Sequence, residues 1–174
     1  MGTLCKVYDI CLKTRLEDAI LHRIPREQTA YQYERRGCEE HIFTSKVLCE
    51  QYKEKLIILL TDFSKAFNSV CNFVIHEALK KLEVAPVLVN AVYDATKYFV
   101  TVDHDTGAAT THTRGVPQGG TTSGILFLAA LFTLTERLNN ANLSNPIFVG
   151  DQKLTHLLFA DDCQLLSVDK LSTK

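Results

Sequence analysis

Two adjacent aspartates, Asp161 and Asp162, stand in the middle of the apolar sequence Leu-Leu-Phe-Ala-Asp-Asp-Cys-Gln-Leu-Leu. Strand-forming residues on both sides predict a hairpin over 154–160 and 163–168, with the two acids at its tip. Two carboxylates in such surroundings are costly unless a positive group neutralises them, and a divalent cation would do so. The alternative is a plain polar turn, because Asp side chains favour turns through their own hydrogen bonds.

The second constraint is a run of five aliphatic residues, Leu56–Leu60, that ends just before Asp62. Its length and its polar flanks predict a strand buried on both faces. If this strand and the hairpin are neighbours in one sheet, their aspartates meet at one rim. Carboxylate oxygens suit Mg²⁺, and two such ions can stabilise the attacking and leaving oxygens of a phosphoryl or nucleotidyl transfer. The pattern therefore indicates a metal site.

Apolar residues at helical spacing recur along the rest of the chain. The pattern predicts helices over 4–21, 38–55, 72–82, 86–97 and 121–140, and a second hairpin over 98–104 and 109–114. Helices interleaved with short strands and two hairpins indicate an α+β fold rather than a regular βαβ repeat.

Three strings carry a resemblance to a known family. They are Thr61–Phe67 (TDFSKAF), Arg114–Gly119 (RGVPQG, followed by Leu126-Phe127) and Phe159–Asp162 (FADD). In this order and rough spacing they resemble the palm motifs of reverse transcriptases, above all those of non-LTR (LINE-type) retrotransposons. Upstream, the sequence around Gln28-Thr-Ala-Tyr resembles the region that these enzymes place between fingers and palm. The resemblance implies a palm-like antiparallel sheet packed by helices.

The resemblance also implies a role for each matching residue. Asp62 and Asp161 would hold Mg²⁺, or Mn²⁺, with the carbonyl of Phe63 as a further ligand and Asp162 as a supporting third carboxylate. Phe67 would lie under the sugar and exclude a ribose 2′-OH, its alternative being an ordinary core phenylalanine. The remaining matches imply contacts with nucleotide or template, and the alternatives are a plain turn, packing or solvation: Gln118, Gly119, Phe159, Ala160 and Arg36.

The resemblance further implies which parts of the enzyme are present. We expect partial fingers over 1–55, the palm over 56–174, and no thumb. Asn68 stands where the first string usually has Asp, and Gly120 and Gly124 replace a polar residue and a proline. None of these departures removes a metal ligand. From the partial fingers and the lack of a thumb we expect a truncated copy of a single reverse transcriptase domain.

The charge balance argues against a strong electrostatic clamp on nucleic acid. The 174 residues carry 19 Lys+Arg against 20 Asp+Glu, a formal net charge of −1, without a basic tail. Six cysteines without a CxxC pair and without a signal peptide predict an intracellular protein, cytoplasmic or nuclear, rather than a secreted one. Because no apolar stretch approaches the ~20 residues that span a bilayer, we expect no membrane partner.

Two functions from different classes follow. The first is an RNA-directed DNA polymerase that adds dNTPs to the 3′-OH of a DNA primer on an RNA template. The second is a catalytically silent, element-derived remnant that acts at most as an interaction surface, which the expected incomplete fingers and lack of a thumb favour. A different two-metal phosphohydrolase would need a further His or Glu ligand set, and the histidines show no ligand spacing. Apolar surface left by the missing parts predicts self-association.

Overall fold

The computed structural model describes residues 3–97, 100–102, 109–111, 114–116, 119–141 and 145–169. Its helices are α1 (Thr3–Ile20), α2 (Cys38–Tyr52), α3 (Ala66–Ser69), α4 (Asn72–Lys81), α5 (Pro86–Lys97) and α6 (Ser123–Asn140). Its strands are β1 (Leu56–Thr61), β2 (Val100–Val102), β3 (Ala109–Thr111), β4 (Ile147–Val149), β5 (Gln152–Leu154), β6 (His156–Phe159) and β7 (Asp162–Val168). The predicted α+β class is confirmed, and the predicted helices are present close to their expected bounds. None of the helices described is both long and apolar enough to cross a bilayer.

The chain divides into two compact units, and each is built from two separate stretches of sequence. The first comprises residues 1–24 and 64–132, and the second comprises residues 25–63 and 133–174. Helix α6 begins in the first unit and ends in the second. The expected division into fingers and palm at residue 55 concerns family subdomains and stays a prediction.

The first unit is a helical cluster around an aliphatic core. Leu12, Leu16 and Ile20 are spaced one turn apart along α1, so they share one face of the helix and are buried together. The other helices supply the rest of this core through Ile75, Leu79, Val89, Val92, Ile125 and Leu128. Strands β2 and β3 pair antiparallel, from Val100 with Thr111 to Val102 with Ala109, which confirms the strands of this predicted hairpin. The connection between them lies outside the described residues.

The second unit contains a three-stranded antiparallel sheet in the order β1-β7-β6. The register runs from Leu56 opposite Val168 to Thr61 opposite Cys163. Buried aliphatic residues form the core of this unit, with partly buried side chains of β1 packed against them: Leu48, Ile147, Leu157 and Leu166, with Leu56 and Ile58 of β1. The sheet therefore fixes where the ends of β1 and of the β6–β7 hairpin lie.

The prediction that β1 is buried on both faces is wrong. Ile57 is 50% exposed, Leu59 is 56% exposed and Leu60 is 70% exposed. Strand β1 lies at the edge of its sheet, and packing against the core involves its alternate residues Leu56 and Ile58. A continuous aliphatic run is typical of a strand covered on both sides, but it does not itself supply the covering layer.

The structure contains one further hairpin that the sequence pattern did not predict. Strands β4 and β5 pair antiparallel, with Val149 opposite Gln152, around a turn that begins at Gly150. Gly150 has a φ of 59°, a left-handed conformation that glycine adopts without steric cost. Three-residue strands give too short an alternation of apolar and polar residues to be predicted from sequence.

Candidate catalytic site

Asp62 and Asp162 come together at the ends of two paired strands. Thr61 of β1 lies opposite Cys163 of β7, and the same register continued by one residue places Asp62 opposite Asp162. Asp62 directly follows β1 and Asp162 is the first residue of β7, so both aspartates lie at the same end of the sheet. Both side chains are exposed, and both line one cleft. The expectation that the strand and the hairpin are sheet neighbours is therefore confirmed.

Asp161 lies in the turn next to this pair. Phe159 of β6 is paired with Asp162, so the two-residue turn consists of Ala160 and Asp161. The prediction that both aspartates form the tip is wrong for Asp162, which is the first residue of β7. Because Asp162 is paired with Phe159, the sheet fixes the position of its backbone. Asp161 lies in the turn and is not paired with a residue of β6.

Tyr31 is the titratable neighbour of Asp161. Burial, and secondly the negative charge of Asp161, raise the pKa of the Tyr31 hydroxyl above its usual value. The phenol therefore keeps its proton at neutral pH and can act as a hydrogen-bond donor beside the turn. Sequence reasoning gave Tyr31 no role, because its string indicated only a region of the family.

The cleft beside the carboxylates has a volume of about 360 Å³. Its lining comes from α2, from β1 with the residue that follows it, and from the β6–β7 hairpin: Cys38, His41, Ile42, Leu60, Thr61, Asp62, Phe159, Asp162, Cys163 and Gln164. Ser45 of α2 donates a hydrogen bond to Gln164 Oε1 at 3.1 Å, which links the helix to β7. One wall is thus a helix tied to the sheet, and the carboxylates stand at the sheet's end.

Burial favours the uncharged forms of two other side chains of the cleft, His41 and Cys163. Burial lowers the pKa of His41, so its imidazole is neutral, and Nε2 lies 3.2 Å from Thr29 Oγ1. Burial raises the pKa of the Cys163 thiol, and a hydrogen bond with Thr61 opposes this shift. A protonated thiol is a poor metal ligand. The carboxylate groups that line this cleft are those of Asp62 and Asp162.

These donors fit a hard cation. Carboxylate oxygens are the ligands that Mg²⁺ prefers, and Mg²⁺ keeps several waters, which an open cleft leaves room for. Among the described residues, no three His, Cys, Asp or Glu side chains are already arranged as a metal cage. One or two carboxylates suit a cation that takes its other ligands from water and substrate oxygens, and they do not form a closed structural site.

Phe63, Phe159 and Arg36 also belong to the second unit. Phe63 follows Asp62 directly after β1, with an exposed ring. A Cβ on Gly37 would lie 3.3 Å from Phe159 Cε2, so the segment before α2 runs close to the Phe159 ring. The Arg36 backbone N–H donates to Glu40 Oε1 at 2.9 Å, and its exposed guanidinium has no partner among the residues that the structure describes.

Phe67 and Gly119 belong to the first unit. Phe67 is partly buried and stacks on Phe127, with ring centroids 4.4 Å apart and an interplanar angle of 14°. This contact gives Phe67 a packing role, and its selection against ribose stays a prediction. Gly119 is exposed with a φ of 82°, and nothing lies within 4 Å of a Cβ built there. Gln118 lies outside the described residues.

Gln28 is a buried residue at this site, and the sequence indicated no role for it. It is 2% exposed. Its Oε1 accepts hydrogen bonds from the N–H of Ala160 at 3.1 Å and of Ala30 at 3.0 Å. Its Nε2 donates to the carbonyl of Ala160 at 3.4 Å. An amide residue in a sequence does not reveal whether it is buried, so the string containing Gln28 could not have indicated this contact.

Comparison with solved structures identifies the same fold elsewhere. The chain is similar to apo telomerase from Candida tropicalis truncated from its C-terminal domain, with a TM-score of 0.59 and 15% sequence identity. The likeness covers 97% of this chain and 35% of the telomerase chain, so this chain spans about a third of that length. At such low identity the likeness shows the fold alone. No curated protein matches the sequence.

The sequence model of one family, described as reverse transcriptase (RNA-dependent DNA polymerase), matches residues 1–173. This match includes Asp62, Asp161 and Asp162, which the structure places at one end of the sheet in the second unit. Because the match extends over almost all of the sequence, the chain belongs to the reverse transcriptase (RNA-dependent DNA polymerase) family.

Proposed function

We propose that this chain carries the palm of an RNA-directed DNA polymerase, with Asp62, Asp161 and Asp162 as its metal-binding carboxylates. Divalent metal dependence is a general property of the family. The observation that carries the proposal is the pairing of β1 with β7, which brings Asp62 and Asp162 to one end of the sheet, where both line one cleft. Mg²⁺ suits these oxygen donors, and Mn²⁺ is the substitute.

The finer proposal is a two-metal site with Asp62 and Asp161 as the principal ligands, the Phe63 carbonyl as a further ligand and Asp162 in support. When bound, two divalent ions supply charge stabilisation at the attacking and leaving oxygens of nucleotidyl transfer. The chain's own residues bind and orient: the carboxylates fix the cations, and the cleft leaves space beside them for a substrate. Burial favours the neutral form of His41, so its imidazole does not add positive charge to the cleft.

The proposed substrates are a dNTP, a DNA primer and an RNA template. Phe159, Ala160 and Arg36 are proposed to contact nucleotide or template from the second unit, and the exposed Arg36 guanidinium suits a phosphate oxygen. Gln118 and Gly119 are proposed to do so from the first unit, with Phe67 as the residue that excludes ribose. The positive φ of Gly119 supports a loop that requires glycine.

The proposed origin is a non-LTR retrotransposon, since the strings TDFSKAF, RGVPQG and FADD match that type. An intracellular location, in the cytoplasm or nucleus, follows from such an origin. Self-association is proposed from exposed apolar side chains such as Leu4, Phe43 and Val87. Sedimentation of the purified chain tests it, and a single monomeric species would contradict it.

The test of the function compares the wild-type chain with Asp62→Asn and with the control Asp151→Asn. Asp151 is an exposed acid in the β4–β5 turn of the same unit. We expect Mn²⁺ titration, followed by electron paramagnetic resonance, to show weaker binding by at least about 10-fold in Asp62→Asn and no change in the control. We expect dNTP incorporation on a primed RNA template by the wild type and the control, but not by Asp62→Asn.

The remaining outcomes distinguish the polymerase from the catalytically silent remnant. Mn²⁺ binding that depends on Asp62, without incorporation, would leave a metal site in a catalytically silent chain. Neither binding nor incorporation would favour the remnant that acts only as an interaction surface. Equal binding by the wild type and Asp62→Asn would overturn the assignment of the carboxylates.

A further inference from the structure

The segment containing Gln28 runs along the free edge of β6. The Thr29 N–H donates to the Leu158 carbonyl at 3.1 Å, and the Leu158 N–H donates to the Glu27 carbonyl at 2.8 Å. Gln28 thereby forms a parallel bridge with Leu158, two residues before Ala160. The segment acts as a short extra strand that carries the Gln28 side chain to the turn of the hairpin.

At that turn Gln28 engages both backbone polar groups of one residue. Its Oε1 accepts from the Ala160 N–H at 3.1 Å, and its Nε2 donates to the Ala160 carbonyl at 3.4 Å. Ala160 has a φ of 53°, a left-handed conformation that a residue with a side chain adopts only when its surroundings hold it there. Gln28 and Ala160 are both buried, so water does not provide an alternative partner.

We infer that Gln28 is a positioning residue for Asp161 and Asp162. The peptide between Ala160 and Asp161 carries the Ala160 carbonyl that Gln28 contacts, so the amide fixes the backbone that precedes Asp161. The two-point contact resists rotation of the turn and holds the Asp161 carboxylate in a fixed direction relative to Asp162. The inference rests on the proposed function, because it assigns these carboxylates to a metal.

The same segment provides a matched control. Gln32 donates a hydrogen bond from Nε2 to the Gln28 carbonyl, and among the described residues its side chain forms no hydrogen bond with the turn. Gln28→Met and Gln32→Met each replace an amide by an apolar chain of similar length within one segment. The first removes the contacts to Ala160, and the second removes a contact to the backbone of the segment itself.

The experiment measures Mn²⁺ affinity of the full chain by electron paramagnetic resonance, together with hydrogen exchange of the Ala160 amide by NMR. We expect Gln28→Met to raise the Mn²⁺ dissociation constant about 10-fold, because removal of a group that orients a ligand typically has this effect. We expect its Ala160 amide to exchange at least about 10-fold faster, since Oε1 no longer accepts its proton. Gln32→Met is expected to leave both quantities unchanged. Gln28→Asn, whose amide is one methylene too short to reach Ala160, replaces Gln28→Met if the latter does not fold.

The outcomes separate this inference from the function on which it rests. A merely structural role would lower the melting temperature and leave the Mn²⁺ affinity of the folded chain unchanged, which would overturn the inference alone. Equal effects of Gln28→Met and Gln32→Met on affinity would also overturn it. A wild-type chain without Mn²⁺ affinity would overturn the metal assignment, and the positioning role with it. Mn²⁺ affinity that depends on Gln28, without primer extension, would support the inference and contradict the polymerase.

Discussion

At Gly115 the absence of a side chain lets two segments of the first unit touch. A Cβ at this position would lie 2.9 Å from the backbone carbonyl oxygen of Asn68. The Gly115 N–H donates to the Val70 carbonyl at 2.6 Å, and the Val116 N–H donates to the Phe67 carbonyl at 2.8 Å. The second family string is thus hydrogen-bonded to the end of the first, which explains why a glycine stands at this place.

Gly115→Ala is expected to destabilise the chain by at least about 2 kcal/mol, because the methyl group meets backbone atoms and φ is 89°. Gly150→Ala is the control: its φ is also positive, at 59°, but nothing lies within 4 Å of its added Cβ. We expect it to cost about 1 kcal/mol. Urea unfolding followed by circular dichroism measures both. Equal destabilisation would show that the close approach to Asn68 is unimportant.

At the scale of elements, the spacing of apolar residues predicted which segments form helices and strands. It did not predict which other segments pack against them. Leu12, Leu16 and Ile20 repeat every turn, so α1 and its buried face could be predicted. Strand β1 could be located from its aliphatic run, but whether a layer covers its second face depends on other parts of the fold. Gln28 could not be assigned for the same reason, since its role depends on where Ala160 lies.

Two adjacent isoleucines of β1 differ in burial, and this difference gives a testable prediction. Ile58 packs against the core of the second unit, whereas Ile57 is half exposed. We expect Ile58→Ala to lower the free energy of unfolding by about 2 kcal/mol, and Ile57→Ala to change it by less than about 0.5 kcal/mol. Denaturant titration of the two variants measures the difference. A larger effect at Ile57 would mean that the outer face of β1 is covered in solution.

At the scale of the whole molecule, buried histidines couple folding to pH. Burial lowers the pKa values of His156, His76 and His41. His156 is 0% exposed: Nδ1 lies 2.8 Å from Thr155 Oγ1, and Nε2 has no partner among the described residues. Burial disfavours a proton on His156 more than the negative charge of Glu27 favours it, so the pKa is lowered and the unfolded chain binds protons more readily than the folded chain.

The sign of the pH dependence follows from this difference. The stabilisation is complete above the unfolded pKa of about 6.5 and is lost as the pH falls toward the lower folded pKa values. We expect the urea midpoint to decrease between pH 7.5 and pH 5.5. His156→Gln is expected to reduce that decrease, whereas His22→Gln, at an exposed position, is not. The same pH dependence in all three proteins would contradict the assignment to His156.

Because the first unit is built from two separate stretches of sequence, its longer stretch, residues 64–132, is not expected to fold alone. Residues 64–132 lack the α1 side chains Leu12, Leu16 and Ile20, which are part of their core. We expect a fragment of residues 64–132 to be largely unfolded by circular dichroism. Addition of a peptide of residues 1–24 is expected to increase its helicity, and the same peptide with Leu16→Asp is not. A folded, cooperative fragment without the peptide would contradict this dependence.

The interleaving of the units also has a consequence for synthesis on the ribosome. Helix α1 is translated before the partners that bury its apolar face, which extend to Phe132. At about 5 to 20 residues per second, α1 waits roughly 5 to 20 seconds before its core can close. The second unit is delayed in the same way, since β7 is near the end of the chain and β1 must wait for it. Nascent chains of this protein therefore present unburied aliphatic residues while the segments between these partners are synthesised, and they are expected substrates for ribosome-associated chaperones.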